Sequence, residues 1–133
     1  REGKIMFETM TASQYRKMKS KKRSKYGNKK VEYKGMMFDS VKEYHRYVVL
    51  EFLQRRGQIK NLQCQVVFEL IPKGPGVRRT TYIADFVYDD LELDGSWTHT
   101  VEDVKSEGTR RNPIYRLKSK LMRSKYGITI FEV

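Results

Sequence analysis

Apolar and polar positions alternate most regularly between residues 63 and 105. Gln63-Cys-Gln-Val-Val-Phe-Glu-Leu-Ile71 and Thr81-Thr-Tyr-Ile-Ala-Asp-Phe-Val-Tyr88 are rich in β-branched and aromatic residues, and both read as strands. Thr98-His-Thr-Val-Glu-Asp-Val-Lys105 reads as a third, with Asp94-Gly95 as a hairpin turn signal before it. Upstream, Val31 to Phe38 has the pattern of a short hairpin turning at Lys34-Gly35. Asp39-Ser40 then opens a helix that runs to about Arg56 and stops at Gly57. Its 3–4 spacing gives a core stripe of Val41, Tyr44, Val48 and Phe52, with Glu43, Tyr47, Leu50 and Gln54 on a second stripe. Downstream, Asn112-Pro113 starts a second helix that ends at Tyr126-Gly127, and Ile114, Leu117 and Leu121 form its expected buried stripe. Ile128 to Val133 closes the chain as a strand, expected to join the sheet in parallel after the helix crossover. The order is helix, three strands, helix, strand, an α/β fold with a mixed sheet flanked by helices.

Charge changes this picture at one end. The 133 residues carry 28 Lys and Arg against 16 Asp and Glu, a net charge of +12. Residues 1–34 hold 12 basic and 3 acidic residues, and residues 35–133 hold 16 and 13. The expected organisation is therefore a basic N-terminal arm over 1–30 and one domain over 31–133, a length suited to a single core. Lys21, Lys22, Arg23, Lys25, Lys29 and Lys30 make the arm a candidate for phosphate contact, although such a run also serves as a solubilising tail. A basic excess of this size points to a polyanionic partner, nucleic acid or an anionic membrane surface. No apolar run approaches the ~20 residues that span a bilayer, and no secretory leader is visible. One cysteine and two histidines build neither a disulfide framework nor a Cys/His zinc site, and a single thiol fits a reducing compartment.

The chemistry concentrates in two strands. Asp85 stands among Ile, Ala, Phe and Val, and Asp103-Val104-Lys105 ends the strand that follows. Side chains alternate across a strand, so Asp103 and Lys105 share one side while Glu102 and Val104 share the other. Paired as a meander, the two strands bring Asp85 beside that pair. Carboxylates placed in apolar strands are costly unless offset, and a hard divalent cation offsets them through oxygen ligands.

An Asp on one strand followed by Asp-x-Lys on the next resembles the signature of the PD-(D/E)xK nuclease superfamily, with Ala84 in place of its nominal Pro. The ordered set Ser24-Lys-Tyr-Gly-Asn-Lys-Lys30, Phe38-Asp-Ser-x-x-Glu43, Tyr82-Ile-Ala-Asp-Phe86 and Asp103-Val-Lys105 is similar to a phage family of unknown function, the DUF1064 type. That resemblance implies a restriction-endonuclease-like αβββαβ core. It implies that Asp85 and Asp103, with Glu43, bind Mg²⁺ or Mn²⁺, with the Val104 carbonyl completing the sphere. Lys105 then orients or deprotonates the attacking water, or stabilises the pentavalent phosphorus. Ser40-x-x-Glu43 is also a capping box, so Glu43 has a purely local role open to it as well. Gln65 either lines the site or is an ordinary polar residue at a strand start. Lys118, inside the apolar stripe of the second helix, either snorkels to solvent or points into the site.

DNA-backbone contacts fall to the arm, to Arg78 and Arg79 beyond the Pro/Gly loop, and to Arg110, Arg111 and Arg116 beside the second helix. With no recognition domain outside the core, shape-selective cutting of branched DNA is expected, in the manner of a Holliday junction resolvase. Analogy alone adds a homodimer and the cytoplasm of a bacterial host cell, the protein being phage-encoded. The alternatives are a less selective nuclease or nickase, a non-catalytic DNA-binding accessory protein, and an RNA-binding module built on exposed aromatics.

Overall fold

The structure is a computed structural model that describes residues 29–133. The chain divides into two compact units, Arg1–His45 and Arg46–Val133. The arm lysines and arginine Lys21, Lys22, Arg23 and Lys25 lie outside the described residues.

In the first unit, β1 (Val31–Tyr33) and β2 (Met36–Phe38) form an antiparallel hairpin, with Val31 opposite Phe38 and Tyr33 opposite Met36. Lys34 (φ 50°) and Gly35 (φ 77°) both turn left-handed, the requirement of a two-residue hairpin loop. Helix α1 (Val41–Arg55) begins here, and Ser40 Oγ accepts from the Glu43 N–H at 3.1 Å, one half of a capping box. Tyr44 packs edge-on to Tyr33, ring centroids 5.2 Å apart.

The second unit is built on a four-stranded sheet in the order β3 (Ile59–Ile71), β4 (Thr80–Leu91), β5 (Trp97–Asp103) and β6 (Phe131–Glu132). The first three strands are antiparallel, and β6 joins β5 in parallel, as expected of a strand returning through a helical crossover. That crossover holds a short helix, α2 (Glu107–Arg110), and α3 (Pro113–Tyr126). Asn112 caps α3 by accepting from the N–H groups of Ile114 and Tyr115, and Gly127 ends it in the left-handed conformation. The observed architecture is thus α/β with a mixed sheet, in the anticipated order.

The expected burial of the two helices is corrected. On α1, Val41, Val48 and Phe52 are exposed, Phe52 by 56%. The second stripe is the inward one: Leu50 is fully buried and the Tyr47 ring lies 6.2 Å from that of Phe86 on β4. On α3, Ile114 and Leu117 are exposed and Met122 is fully buried, with Tyr115, Lys118, Ser119 and Leu121 half-buried. The main core joins Met122 and Ile130 to Leu70, Tyr82, Ala84, Val87 and Val101 of the sheet. Ala84 and Val87 share that core although three positions apart, so side-chain alternation slips at Asp85, between them. Across the ladder, Gln65 takes a left-handed backbone, φ 54°. Non-glycine residues avoid that conformation.

Candidate active site

Two adjacent residues of β5 carry buried carboxylates, and their surroundings differ. Glu102 is fully buried. It sits opposite Phe86 in the β4–β5 register and receives the Arg46 guanidinium through Nε on Oε1 and Nη2 on Oε2, the latter at 3.1 Å. Tyr88 Oη donates to the same Oε2 at 2.5 Å. Burial, and then Glu102, push the Tyr88 hydroxyl above its ordinary pKa, while the hydrogen bond to Glu102 holds Arg46 more firmly charged. Every charge in this group meets a fixed protein partner.

Asp103 is 2% exposed, and among the described residues both contacts of its carboxylate fall on one oxygen. Oδ2 accepts from Tyr82 Oη at 2.7 Å and lies 3.0 Å from Lys105 Nζ. Asp85 stands one step beyond the last paired residues, Phe86 and Glu102, and so beside Asp103. The ladder between β4 and β5 stops there because the Asp85 carboxylate takes over: its Oδ2 accepts from the Val104 N–H at 2.9 Å. On the other side, the Lys105 N–H donates to the Val133 carbonyl and the Val133 N–H to that of Asp103, both at 3.0 Å. The Asp103-Val104-Lys105 segment is therefore held from both flanks. Lys105 Nζ also sits 4.5 Å from the centre of the Tyr115 ring, a cation–π contact from the first turn of α3. Tyr82 titrates well above an ordinary tyrosine, through burial first and the Asp103 charge second. The Tyr115 hydroxyl is buried and finds no hydrogen bond of good geometry among the described residues. Burial and then the nearby Glu132 carboxylate raise its pKa.

The structure seats Asp85 on the Val104 N–H and pairs Asp103 with Lys105. Gln65 reaches the same place, its Nε2 pointing to Asp85 Oδ1 at 3.4 Å, a long hydrogen bond. Lys118 is half-buried on the inward side of α3 and makes no ion pair among the described residues. Glu43, in the first unit, is buried. Of the basic residues, Lys29, Lys30, Arg78, Arg110, Arg111 and Arg116 are exposed, and Arg79 is paired with Glu69 at 2.9 Å. Sequence reasoning missed Tyr82, Tyr115 and the Arg46–Glu102–Tyr88 group. Tyr82 and Tyr88 gave a signal, as polar-tipped residues on the strand of Asp85.

Among the described residues no three His, Cys, Asp or Glu side chains are gathered as a ready metal cage. Asp85 and Asp103 nevertheless supply what a hard divalent cation takes: neighbouring carboxylates, with the Val104 carbonyl between Asp103 and Lys105.

Fold and site together define an α/β protein whose mixed sheet carries an Asp pair and a lysine where β4 and β5 part. The family model described as a protein of unknown function, DUF1064, matches residues 23–130, and the chain belongs to that family. No curated protein and no solved structure matches it. No helix among the described residues is long and apolar enough to cross a membrane.

Proposed function

We propose that this chain is a metal-dependent DNA endonuclease of the PD-(D/E)xK type that hydrolyses phosphodiester bonds, with branched DNA such as a four-way junction as its preferred substrate. The observation that carries the reading is the seat of Asp85 Oδ2 on the Val104 N–H at 2.9 Å, next to Asp103, whose Oδ2 lies 3.0 Å from Lys105 Nζ. Asp85 and Asp103, with the Val104 carbonyl, would hold Mg²⁺ or Mn²⁺. Such an ion supplies charge neutralisation at the scissile phosphate and acidifies water.

The chain's own residues do the rest. Tyr82 and Lys105 fix one oxygen of Asp103, which sets the direction in which the carboxylate faces. The Val104 N–H fixes one oxygen of Asp85 in the same way. Lys105, steadied on the Tyr115 ring, presents an ammonium that places a water or stabilises charge on the phosphate oxygens. The net charge of +12 and the exposed Arg110, Arg111 and Arg116 support a nucleic-acid partner held by its backbone. The homodimer, the phage origin and a place in the host cytoplasm belong to the same reading by resemblance.

Incubation with Mg²⁺ and labelled four-way junction, flap and linear duplex tests it. Symmetric nicks in the junction are expected, lost in Asp103→Ala with DNA binding kept. Equal cutting of all three substrates would make it a general nuclease. Cleavage by Asp103→Ala at the normal rate would refute the site. The role the resemblance gives Glu43 is tested by Glu43→Gln in the same assay.

A further inference from the structure

Helix α3 presents an apolar ridge to solvent where a soluble helix ordinarily presents charge. Ile114 is 67% exposed and Leu117 58%. They lie three residues apart and so form neighbouring knobs on one side of the first two turns. Their surroundings are strongly basic. The helix holds Arg116, Lys118, Lys120, Arg123 and Lys125 and no acidic residue, and exposed Arg110 and Arg111 precede it. The ridge is also adjacent to the site, because Tyr115, between Ile114 and Arg116, carries the ring under Lys105.

A partner for this surface needs dense negative charge and accessible apolar faces at the same place. Paired duplex offers the charge but hides its base faces in the stack. DNA with a branch point, a flap or an unpaired step offers both, and aliphatic wedges inserted at such steps are an established way of holding opened DNA. The same ridge of a second copy would bring like charge against like charge at this place, so a dimer contact is better served by another surface. We infer that Ile114 and Leu117 pack against base faces exposed at a branch or unpaired step, and that this ridge is what lets the site prefer branched over linear DNA. The inference rests on the reading of DNA as the substrate. It adds the residues that select its shape.

The test is binding without metal, so that it does not depend on cleavage. A four-way junction and a linear duplex of matching arm sequence are titrated in EDTA with wild type, Ile114→Ala/Leu117→Ala and Arg116→Ala. A 2-aminopurine placed at the branch reports stacking there. The double variant is expected to lose about tenfold in junction affinity, the scale of one aliphatic side chain half buried, with duplex affinity unchanged. Its 2-aminopurine response should vanish. Arg116→Ala should weaken both DNAs together and lower the salt dependence. Both apolar positions are exposed, so the variant's melting midpoint serves as the folding control.

Equal affinities of wild type for the two DNAs, or a double variant that keeps its junction preference, would overturn the inference. So would a double variant that keeps the preference but sediments as a smaller species, or loses binding to phosphatidylserine vesicles. Those results would assign the ridge to a second copy or to a membrane surface. Failure of Mg²⁺-dependent cleavage would count against the nuclease reading and leave this result standing.

Discussion

Glu102 and Asp103 are neighbours on one strand, both buried, and they teach opposite lessons about a carboxylate in a protein interior. Glu102 points toward α1 and is closed off: a guanidinium takes both its oxygens and a tyrosine hydroxyl adds a third donor. Asp103 faces the other way, toward Tyr82 and Lys105, with both contacts on a single oxygen and a second carboxylate, Asp85, beside it. A buried charge that exists for stability is neutralised by its own fold. On the proposed reading Asp103 is kept for chemistry: it is oriented by Tyr82 and Lys105 and left beside another carboxylate, an arrangement that would favour an incoming cation.

If that contrast holds, substitutions on the two sides should fail differently. The largest effect expected is on cleavage: Asp103→Asn should slow Mg²⁺-dependent cutting by at least about a hundredfold, while its melting midpoint moves less than that of the Glu102 variant below. A thermal melt beside a single-turnover assay separates the two readouts. On the other side, Glu102→Ala should cost about 1.5–3 kcal/mol in denaturant unfolding, because it strands the Arg46 guanidinium and the Tyr88 hydroxyl. A Glu102→Ala protein as stable as wild type would erase the distinction. Tyr88→Phe, which removes one of the three donors, should cost about 1 kcal/mol by the same measurement.

The smallest effect is one of pH. The Tyr88 hydroxyl is raised in the folded state by burial and by Glu102, so the folded form binds its proton more tightly than the unfolded form. Its contribution to stability is therefore full below the ordinary tyrosine pKa of about 10 and is lost as pH rises beyond it toward the folded value. Phenolate absorbance during an alkaline titration should show Tyr88 ionising only as the protein unfolds. In Tyr88→Phe the stability lost at high pH should be correspondingly smaller.

How legible this was depended on what each residue needs to be recognised. Asn112-Pro113 and Gly127 marked the ends of α3 because caps act locally. Asp85, Asp103 and Lys105 could be placed together because strand alternation and a hairpin are short-range rules. The inward faces of both helices could not. On α1 the buried side carries Arg46 and Glu43 as well as Tyr47 and Leu50, and its apolar residues Val48 and Phe52 face solvent. A search for apolar periodicity assumes that the apolar face is the buried one, and here a buried ion pair reverses that. On α3 the inward side mixes Tyr115, Lys118 and Ser119 with Leu121 and Met122, so apolar spacing pointed to Ile114 and Leu117 instead, while the residue that touches Lys105 is Tyr115. Partners such as Arg46 for Glu102 and Tyr82 for Asp103 lie 56 and 21 residues away in the chain, beyond any local rule.

The two-residue strand β6 has a bearing out of proportion to its size. Its backbone neighbour Val133 grips Asp103 and Lys105 by one hydrogen bond each, so the final residues brace the lysine's loop against the sheet. Trimming residues 131–133 would spare Asp85, Asp103, Lys105 and Tyr115 and remove only the Glu132 carboxylate near Tyr115, yet it would unfasten the backbone on which Asp103 and Lys105 ride. If the proposed reading holds, such a shortened chain should still fold around its main core and bind DNA, while cleavage slackens because the groups it needs arrive in the wrong alignment.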